Sequence, residues 1–423
     1  MKISRYAVRV KLNNGEILLY NTVDKKYFSY PEEEEGRMEC ILHNLNKGTY
    51  DESEIAILQE LVQKKIVLAD AADEMDELVY RENQIRFQSD TFHIMIIVTN
   101  GCNFRCPYCV QEHENVALSD DSAEKIISLI RQRSQSARRI KITWFGGEPL
   151  LQYKRVRKMM ERAISICEKN RCELEAGMVS NGYLLNRERI AELKKLHFTM
   201  LQITLDGDRK SHDKRRFLAN EEGTYDVIVN NIAMIAEYGI PMILRMNIDD
   251  TNADSVCDIL ELIPQEYRST VTVSVANLYQ TEKKISPYKI YERAIEMGYL
   301  YKMRNNVFMA CQVCLMNGVV IDANGKIIVC ANARSEDKEL GYLSDDGEMI
   351  IQNTALYYKL KTISALQNEE CRNCKELPFC IATCKYRRSI NNKSCIGKRN
   401  DGLTLEERAY LDYYYDKQRR SFV

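Results

Sequence analysis

Apolar and polar positions follow two different periods along the chain. In the first thirty residues the period is two. Tyr6, Val8 and Val10 alternate with polar neighbours, Asn13-Asn14-Gly15 supplies a hairpin turn, and Ile17-Leu18-Leu19-Tyr20 returns. Lys26-Tyr27-Phe28-Ser29-Tyr30 reads as a third strand. Helical spacing takes over at 34–44 and 52–64. The second of these opens on Asp51-Glu52-Ser53-Glu54, carboxylates suited to a helix N-terminus. Ile66-Val67-Leu68 reads as a short wing strand and 70–82 as a charged linking helix.

From residue 92 the pattern changes. Apolar strands are predicted at 92–98, 140–145, 174–180, 199–205, 241–248 and 270–277, with amphipathic helices at about 121–134, 150–168, 187–196, 225–238 and 252–263. Strand–helix alternation argues for a parallel sheet with crossover helices. Six units make a partial barrel, and chemistry should gather at the C-terminal ends of its strands.

At 423 residues the chain is long enough for two or three domains. A hydrophobic fraction of 45% provides ample core, and a net charge of −1 gives no basic surplus for nucleic acid. No apolar run approaches the ~18 residues that span a bilayer, and no signal-peptide core follows Met1-Lys2-Ile3-Ser4-Arg5-Tyr6, so the expected location is cytoplasmic. The 15 cysteines change the picture most. Three stand in one loop and eight lie between Cys311 and Cys395; thiols clustered in a reduced compartment read as metal sites rather than disulfides. The other four, Cys40, Cys167, Cys172 and Cys257, fall in apolar or helical contexts and are expected to be buried and inert.

The loop is Cys102-Asn103-Phe104-Arg105-Cys106-Pro107-Tyr108-Cys109, directly after the first barrel strand. Three thiolates at this spacing can hold three irons of a cubane and leave the fourth open to a small molecule. The spacing also admits a structural zinc site with a remote fourth ligand. The second strand ends in Trp144-Phe145-Gly146-Gly147-Glu148-Pro149, whose glycines allow a close backbone approach; Trp144 is expected in the core. Strands three and four end in Ser180-Asn181-Gly182 and in Thr204-Leu205-Asp206-Gly207, and His212-Asp213-x-x-Arg216 follows. Together these motifs resemble the radical S-adenosylmethionine (radical SAM) enzymes. The resemblance implies a cluster on Cys102, Cys106 and Cys109. It implies S-adenosylmethionine contacts from Tyr108, Gly146, Gly147, Glu148, Ser180, Asn181, Thr204 and Asp206, with Arg216 or Arg245 offering a fork for the methionine carboxylate.

The C-terminal spacing is C-x10-G-x4-C from Cys314 to Cys330, then Cys371-x2-Cys374-x5-Cys380-x3-Cys384 and Cys395, with Cys311 as an eighth thiol. Asn324-Gly325 marks a hairpin turn that draws Cys314 and Cys330 together. This resembles the SPASM extension of radical SAM enzymes that modify peptides or proteins. It implies two further four-iron clusters, one on Cys311, Cys314, Cys330 and Cys384, the other on Cys371, Cys374, Cys380 and Cys395. Two zinc-ribbon-like sites are the alternative chemistry.

The fold expected is therefore α/β: a partial (β/α)6 TIM-like barrel over 90–300, a winged-helix-like α+β domain over 1–85, a two-cluster iron–sulfur domain over 301–400 and a closing helix within 401–423. The N-terminal domain resembles the peptide-recognition modules of peptide-modifying enzymes, which bind a leader peptide along a sheet edge. The alternative is a packing extension of the barrel. The resemblance implies a maturase of ribosomally made peptides that cleaves S-adenosylmethionine reductively. Its 5′-deoxyadenosyl radical takes hydrogen from a peptide residue, and a thioether or carbon–carbon bond follows. An anaerobic sulfatase-type maturase making formylglycine is the second expectation, and a non-enzymatic electron carrier or zinc scaffold the third. The expected partners are a precursor peptide and an electron donor such as flavodoxin or ferredoxin, with no nucleic acid and no membrane.

Overall fold

The computed structural model describes residues 1–46, 48–111, 113–278, 280–301, 311–333, 338–381, 384–390, 395 and 402–421, with backbone alone at 420 and 421. Strands β1 (Lys2–Ile3), β2 (Ala7–Lys11), β3 (Glu16–Asn21), β4 (Lys26–Pro31) and β5 (Val67–Leu68) form the N-terminal region. The order β2-β3-β4 is antiparallel throughout, and β1 pairs with β5 as a separate ribbon. Gly15 takes φ +81° in the β2–β3 turn, where an L-residue would be strained. Period two separates the faces. Ile17, Leu19 and Tyr30 pack on Met38, Ile41, Leu58 and Leu61 of the helices Glu35–His43 and Glu52–Gln63. Val8, Val10, Leu18 and Tyr20 face the other way, onto Ala409 and Tyr413 of the C-terminal helix Leu405–Ser421. That helix lies within the 401–423 expected for it. The Asp51 and Glu54 side chains close the expected N-terminus as a capping box.

The six expected parallel strands are all present: β6 (Thr91–Ile97), β7 (Arg139–Phe145), β8 (Glu173–Ser180), β9 (Phe198–Thr204), β10 (Met242–Ile248) and β11 (Val271–Asn277). They lie side by side in chain order, all parallel. Crossover helices Asp120–Arg133, Tyr153–Lys169, Arg187–Lys195 and Tyr225–Glu237 bury their apolar stripes on the sheet. One expected helix is absent. Residues 252–263 contain only a 3-10 turn, Cys257–Glu261. Asn252 donates to the carbonyls of Asp206 and Asn247 at 2.9 Å each, and Asp249 accepts from the Thr251 amide at 2.9 Å. Short polar side chains here outcompete helical backbone pairing.

The sheet does not stop at six strands. β12 (Leu300–Tyr301) extends it beyond β11, and β13 (Gly318–Ile321) pairs in parallel with the outer edge of β6. A meander of β14 (Lys326–Ile328), β15 (Glu339–Leu343) and β16 (Met349–Ile351) follows, giving eleven strands in all. The linking helix is Glu74–Arg86 rather than 70–82, because Asp73 caps it by accepting from the amides of Met75 and Asp76. It leads into the cysteine-rich segment: Tyr6, Val23 and Leu78 share a core with Ala365, Leu366, Leu377 and Ile381. Trp144, Cys167 and Cys172 are buried, as expected. Cys257 is half-buried, and Cys40 is exposed on the solvent side of its helix, contrary to expectation. No helix among the described residues is long and apolar enough to cross a membrane.

Candidate functional site

The three-cysteine loop leaves β6 and is pinned at both ends. Thr99 bridges to Ala117, Phe104 bridges to Leu218, and the Ala219 amide donates to the Asn103 carbonyl at 2.9 Å. Phe104 N–H donates to Cys102 Sγ at 3.3 Å, and the Arg105 guanidinium holds the carbonyls of Cys102 and Phe104 at 2.8 and 2.7 Å. Burial pushes the Cys102 thiol up to about 11, and it raises Cys106 as well. Thiols in such a place ionise only beside a compensating cation.

Gly146 and Gly147 sit against this loop. A Cβ on Gly146 would come within 2.4 Å of the Thr99 carbonyl oxygen, and one on Gly147 within 2.3 Å of that of Gly101. The amides of Gly147 and Glu148 donate to those same carbonyls at 2.9 Å. The glycines thus let the β7 turn dock on the cysteine loop, a demand made by the protein's own backbone. Glu148 lies fully buried behind the cavity wall. One carboxylate oxygen accepts from the Leu150 amide at 3.0 Å and the Ser180 hydroxyl at 2.8 Å; the other accepts from the Asn181 amide at 2.7 Å. Its acidity is weakened by burial despite these donors. Asn181, so fixed, donates to Asn103 Oδ1 at 2.8 Å beside Cys102.

Asp206 ties the loop to the fourth and fifth strands. Its Oδ2 accepts the Tyr108 hydroxyl and its Oδ1 the Asn247 amide, the latter at 2.8 Å. Arg216 Nη1 donates to the same Tyr108 oxygen at 2.7 Å. Burial drives the Tyr108 hydroxyl far above its ordinary pKa. His212 holds the far end: its Nδ1 accepts from the Asp206 amide at 3.2 Å, and Nε2 lies 3.1 Å from Thr224 Oγ1. The Thr224 hydroxyl donates onward to the Arg216 carbonyl at 2.6 Å. That hydroxyl is therefore an acceptor for His212, which fixes the neutral Nε2–H tautomer. Burial, with Arg216 and Arg215 nearby, lowers the His212 pKa to about 2.

A cavity of about 970 Å³ opens over these groups. Tyr108, Gly146, Gly147, Ser180, Asn181, Thr204, Arg216 and Arg245 line it with the three cysteines, whereas Glu148 and Asp206 stand behind its wall. The Arg245 guanidinium has only neutral partners, Asn247 Oδ1 at 3.1 Å and Ser274 Oγ at 3.5 Å, and burial lowers its pKa. Among the described residues neither Arg216 nor Arg245 forms a carboxylate ion pair. Gln202, Asn247 and Asn277 also reach the cavity. Their signal was a polar residue inside an apolar strand, such as Gln202 between Leu201 and Ile203. Lys284, Asn332 and Arg387 add to the wall from the β11 loop and the C-terminal segment, where no local pattern marked them, and so does Cys395, which the cysteine spacing did mark.

The eight C-terminal thiols fall into two neighbourhoods. Cys330 and Cys314 each feel Cys311 and Cys384, and burial pushes the Cys330 thiol up to about 11. Cys380 feels Cys395 and Cys374, and Arg388, which lowers it, also donates to Cys371 Sγ at 3.9 Å. The Asn324-Gly325 turn does form, with Gly325 at φ +80°, between β13 and β14. Among the described residues no three His, Cys, Asp or Glu side chains converge as ligands of one ion. A cubane asks for something else, since each thiolate binds a different iron.

A loop of thiols at the C-terminal end of a parallel strand thus docks on a Gly-Gly turn under a large cavity. Residues 96–263 match the family profile of the Radical SAM superfamily. The chain thus carries a radical SAM domain over these residues and is related to peptide maturases and to a sulfatase maturase. It is 23% identical over 393 residues to a radical SAM cyclopropyl synthase, TigE, of Paramaledivibacter caminithermalis, covering 80% of this chain and 78% of that one. It is 25% identical to the sporulation killing factor maturation protein SkfB of Bacillus subtilis, covering 66% and 67%. Among solved structures, Streptococcus suis SuiB bound to precursor peptide SuiA superposes with a TM-score of 0.52 at 14% identity, covering 93% and 97%. The anSMEcpe structure with AdoMet and the Cp18Cys peptide reaches 0.59 at 15%, covering 78% and 98%.

A radical SAM domain implies one four-iron cluster and S-adenosylmethionine, and the site suits both. Buried thiols need a cation, a glycine turn keeps side chains out of the floor, and the buried Arg216 Nε and Asn103 Nδ2 lack partners among the described residues.

Proposed function

We propose that the chain is a peptide maturase, joining residues of a ribosomally made precursor by a thioether or carbon–carbon bond. Cys102, Cys106 and Cys109 hold the cluster, whose chemistry with S-adenosylmethionine supplies a 5′-deoxyadenosyl radical. Arg216 and Arg245 orient the methionine carboxylate, Ser180, Asn181 and Thr204 the polar edges of the cofactor, and the enclosed walls exclude water. Glu148 and Asp206 position these groups from behind. The eight C-terminal cysteines would hold two further clusters, which would supply an acceptor for the electron released as the product bond forms.

The observation that carries the reading is the shared cavity: the cysteine loop and the C-terminal segment line one space, with Cys395 in its wall. At about 970 Å³ it sits at the top of the range for one drug-sized ligand, leaving room for a peptide side chain beside the cofactor. The N-terminal sheet supports a peptide substrate. Among the described residues β4 is strand-paired on one side only, with β3, so a leader strand has an edge to join. Relatives include a killing-factor maturation protein, and SuiB was solved with a precursor peptide. The test begins with a search of the neighbouring reading frames for a short peptide, which is then incubated anaerobically with the enzyme, S-adenosylmethionine and reductant. A loss of two hydrogens in the peptide mass with stoichiometric 5′-deoxyadenosine is expected. Oxidation of a lone cysteine or serine to an aldehyde would instead select the sulfatase-type reading, for which a cysteine-type sulfatase-maturating relative of Clostridium novyi stands at 19% identity.

A further inference from the structure

Behind the neighbourhood of Cys311, Cys314, Cys330 and Cys384, four charged side chains are buried together: Glu82, Arg86, Lys361 and Lys385. One Glu82 oxygen takes Lys385 and Arg86, at 2.5 and 2.8 Å, and the other accepts the Ser364 hydroxyl. Arg86 donates in addition to the carbonyls of Thr362 and Ile363. Lys361 has no carboxylate among the described residues. Its ammonium donates to the carbonyls of Leu315 and Gly318 and lies 5.1 Å from the Tyr357 ring. Three cations against one carboxylate leave a positive surplus where water cannot screen it. A buried ammonium without an anion is costly, and among the described residues no anion pairs with this one. The neighbouring thiols supply one, because Lys361 sits on the carbonyl of Leu315, the residue after Cys314, and Lys385 directly follows Cys384. Four thiolates on an oxidised four-iron core carry a net charge of about −2, which matches the surplus.

We infer that Lys361, Lys385 and Arg86, offset by Glu82, are the built-in countercharge of the cluster on Cys311, Cys314, Cys330 and Cys384, and that they hold its reduction potential up. The inference rests on the reading of these cysteines as cluster ligands. Net charge around a cluster is one of the levers on its potential. Reduction adds a negative charge to the core, so losing a nearby cation disfavours the added electron, and losing a nearby carboxylate favours it. These residues act through the cluster's field and touch no substrate.

The test uses the full chain, reconstituted anaerobically and titrated potentiometrically with paramagnetic-resonance detection, alongside iron and sulfide analysis. Lys361→Met should keep about twelve irons and move one midpoint to lower potential, whereas Lys361→Arg leaves it in place. Glu82→Gln should move the same midpoint upward. Unmoved midpoints in both Lys361→Met and Glu82→Gln, with irons retained, overturn the inference. Should Lys361→Met shed its irons, Glu82→Gln decides alone: an upward shift supports the countercharge and a fixed midpoint ends it. An unmutated chain with only about four irons would remove the cluster reading itself, a result distinct from an unmoved midpoint at full iron.

Discussion

The loop of Cys102, Cys106 and Cys109 is braced by the barrel, whereas the C-terminal thiols are braced by the two ends of the chain. Around the first, the holding groups come from strand ends and the turns after them: Gly147, Glu148, Asn181, Asp206 and Arg216. Around the second, regular structure is short, in pieces such as Glu369–Arg372 and Leu377–Cys380. Its anchors lie far off in sequence, Tyr6, Leu78 and Glu82 from one side, and the Leu405–Ser421 helix packs Ala409 and Tyr413 beside Phe379. A site built into a sheet can stand by itself; a site hung between two termini depends on both. Residues 1–85 therefore help to build the wall of the second region as well as to offer β4.

The contrast breaks most sharply on the ligands. Replacing Cys102, Cys106 and Cys109 together by Ala should abolish 5′-deoxyadenosine formation while about eight irons stay bound. Chromatography of the nucleoside and iron analysis check both halves; residual cleavage under reductant would put the open iron elsewhere. Removing residues 1–85 should do the reverse to the metal content. With Tyr6, Leu78 and Glu82 gone, the C-terminal sites should empty and leave about four irons on the barrel loop, which keeps some reductive cleavage. A truncated chain that retains about twelve irons would show the second region to be self-supporting.

Smaller changes sharpen the same difference. Glu82→Ala strands Lys385 and Arg86 without their carboxylate and should cost about 3–5 kcal/mol of stability, seen as a lowered thermal midpoint that starts with loss of the C-terminal irons. Tyr108→Phe removes the hydroxyl between Asp206 and Arg216 and should cost about 1–3 kcal/mol. Its signature is a raised KM for S-adenosylmethionine with iron content unchanged; an unaltered KM would make that link dispensable.

The smallest effect is one of pH. His212 stays neutral in the fold, since burial holds its pKa at about 2, while in the unfolded chain it takes a proton near about pH 6.5. Below that value the unfolded state binds the extra proton, so this group removes about 1.4 kcal/mol of stability per pH unit on acidification and is flat above it. Denaturant unfolding at neutral pH and one unit below pH 6.5 should show that slope, and His212→Gln should lack His212's share. Equal slopes in both proteins would mean that the imidazole is already charged in the fold.

Much of this arrangement is legible in the residues. The six barrel strands announce themselves as apolar runs, the cysteine spacing marks both thiol regions, and Gly146-Gly147 marks a close approach, though to Thr99 and Gly101 of the chain itself. What stays hidden is what depends on distant partners. The helix expected at 252–263 is lost to Asn252 bonding back to Asp206, and no local pattern shows that Glu82 meets Lys385, 303 positions away. Glu148 reads as a ligand contact because its motif is local; that its two oxygens are taken by Leu150, Ser180 and Asn181 appears only once the strands are aligned.

The parallel pairing of β13 with β6, Gly318 against His93 through Ile321 against Ile96, sets a timetable for synthesis. Strand β6 emerges from the ribosome more than two hundred residues before the strand that covers its outer edge. At roughly 5–20 residues per second, that edge, with Ile94 and Ile96, stays unpaired for about ten to forty-five seconds while the barrel assembles beside it. During that interval the cysteine loop at its tip stands at the border of an unfinished sheet, open to metal delivery and equally to oxidation or mispairing with another chain. The last strand to join the parallel sheet seals the first, so slow translation after residue 97 would be the period in which this protein most needs a chaperone.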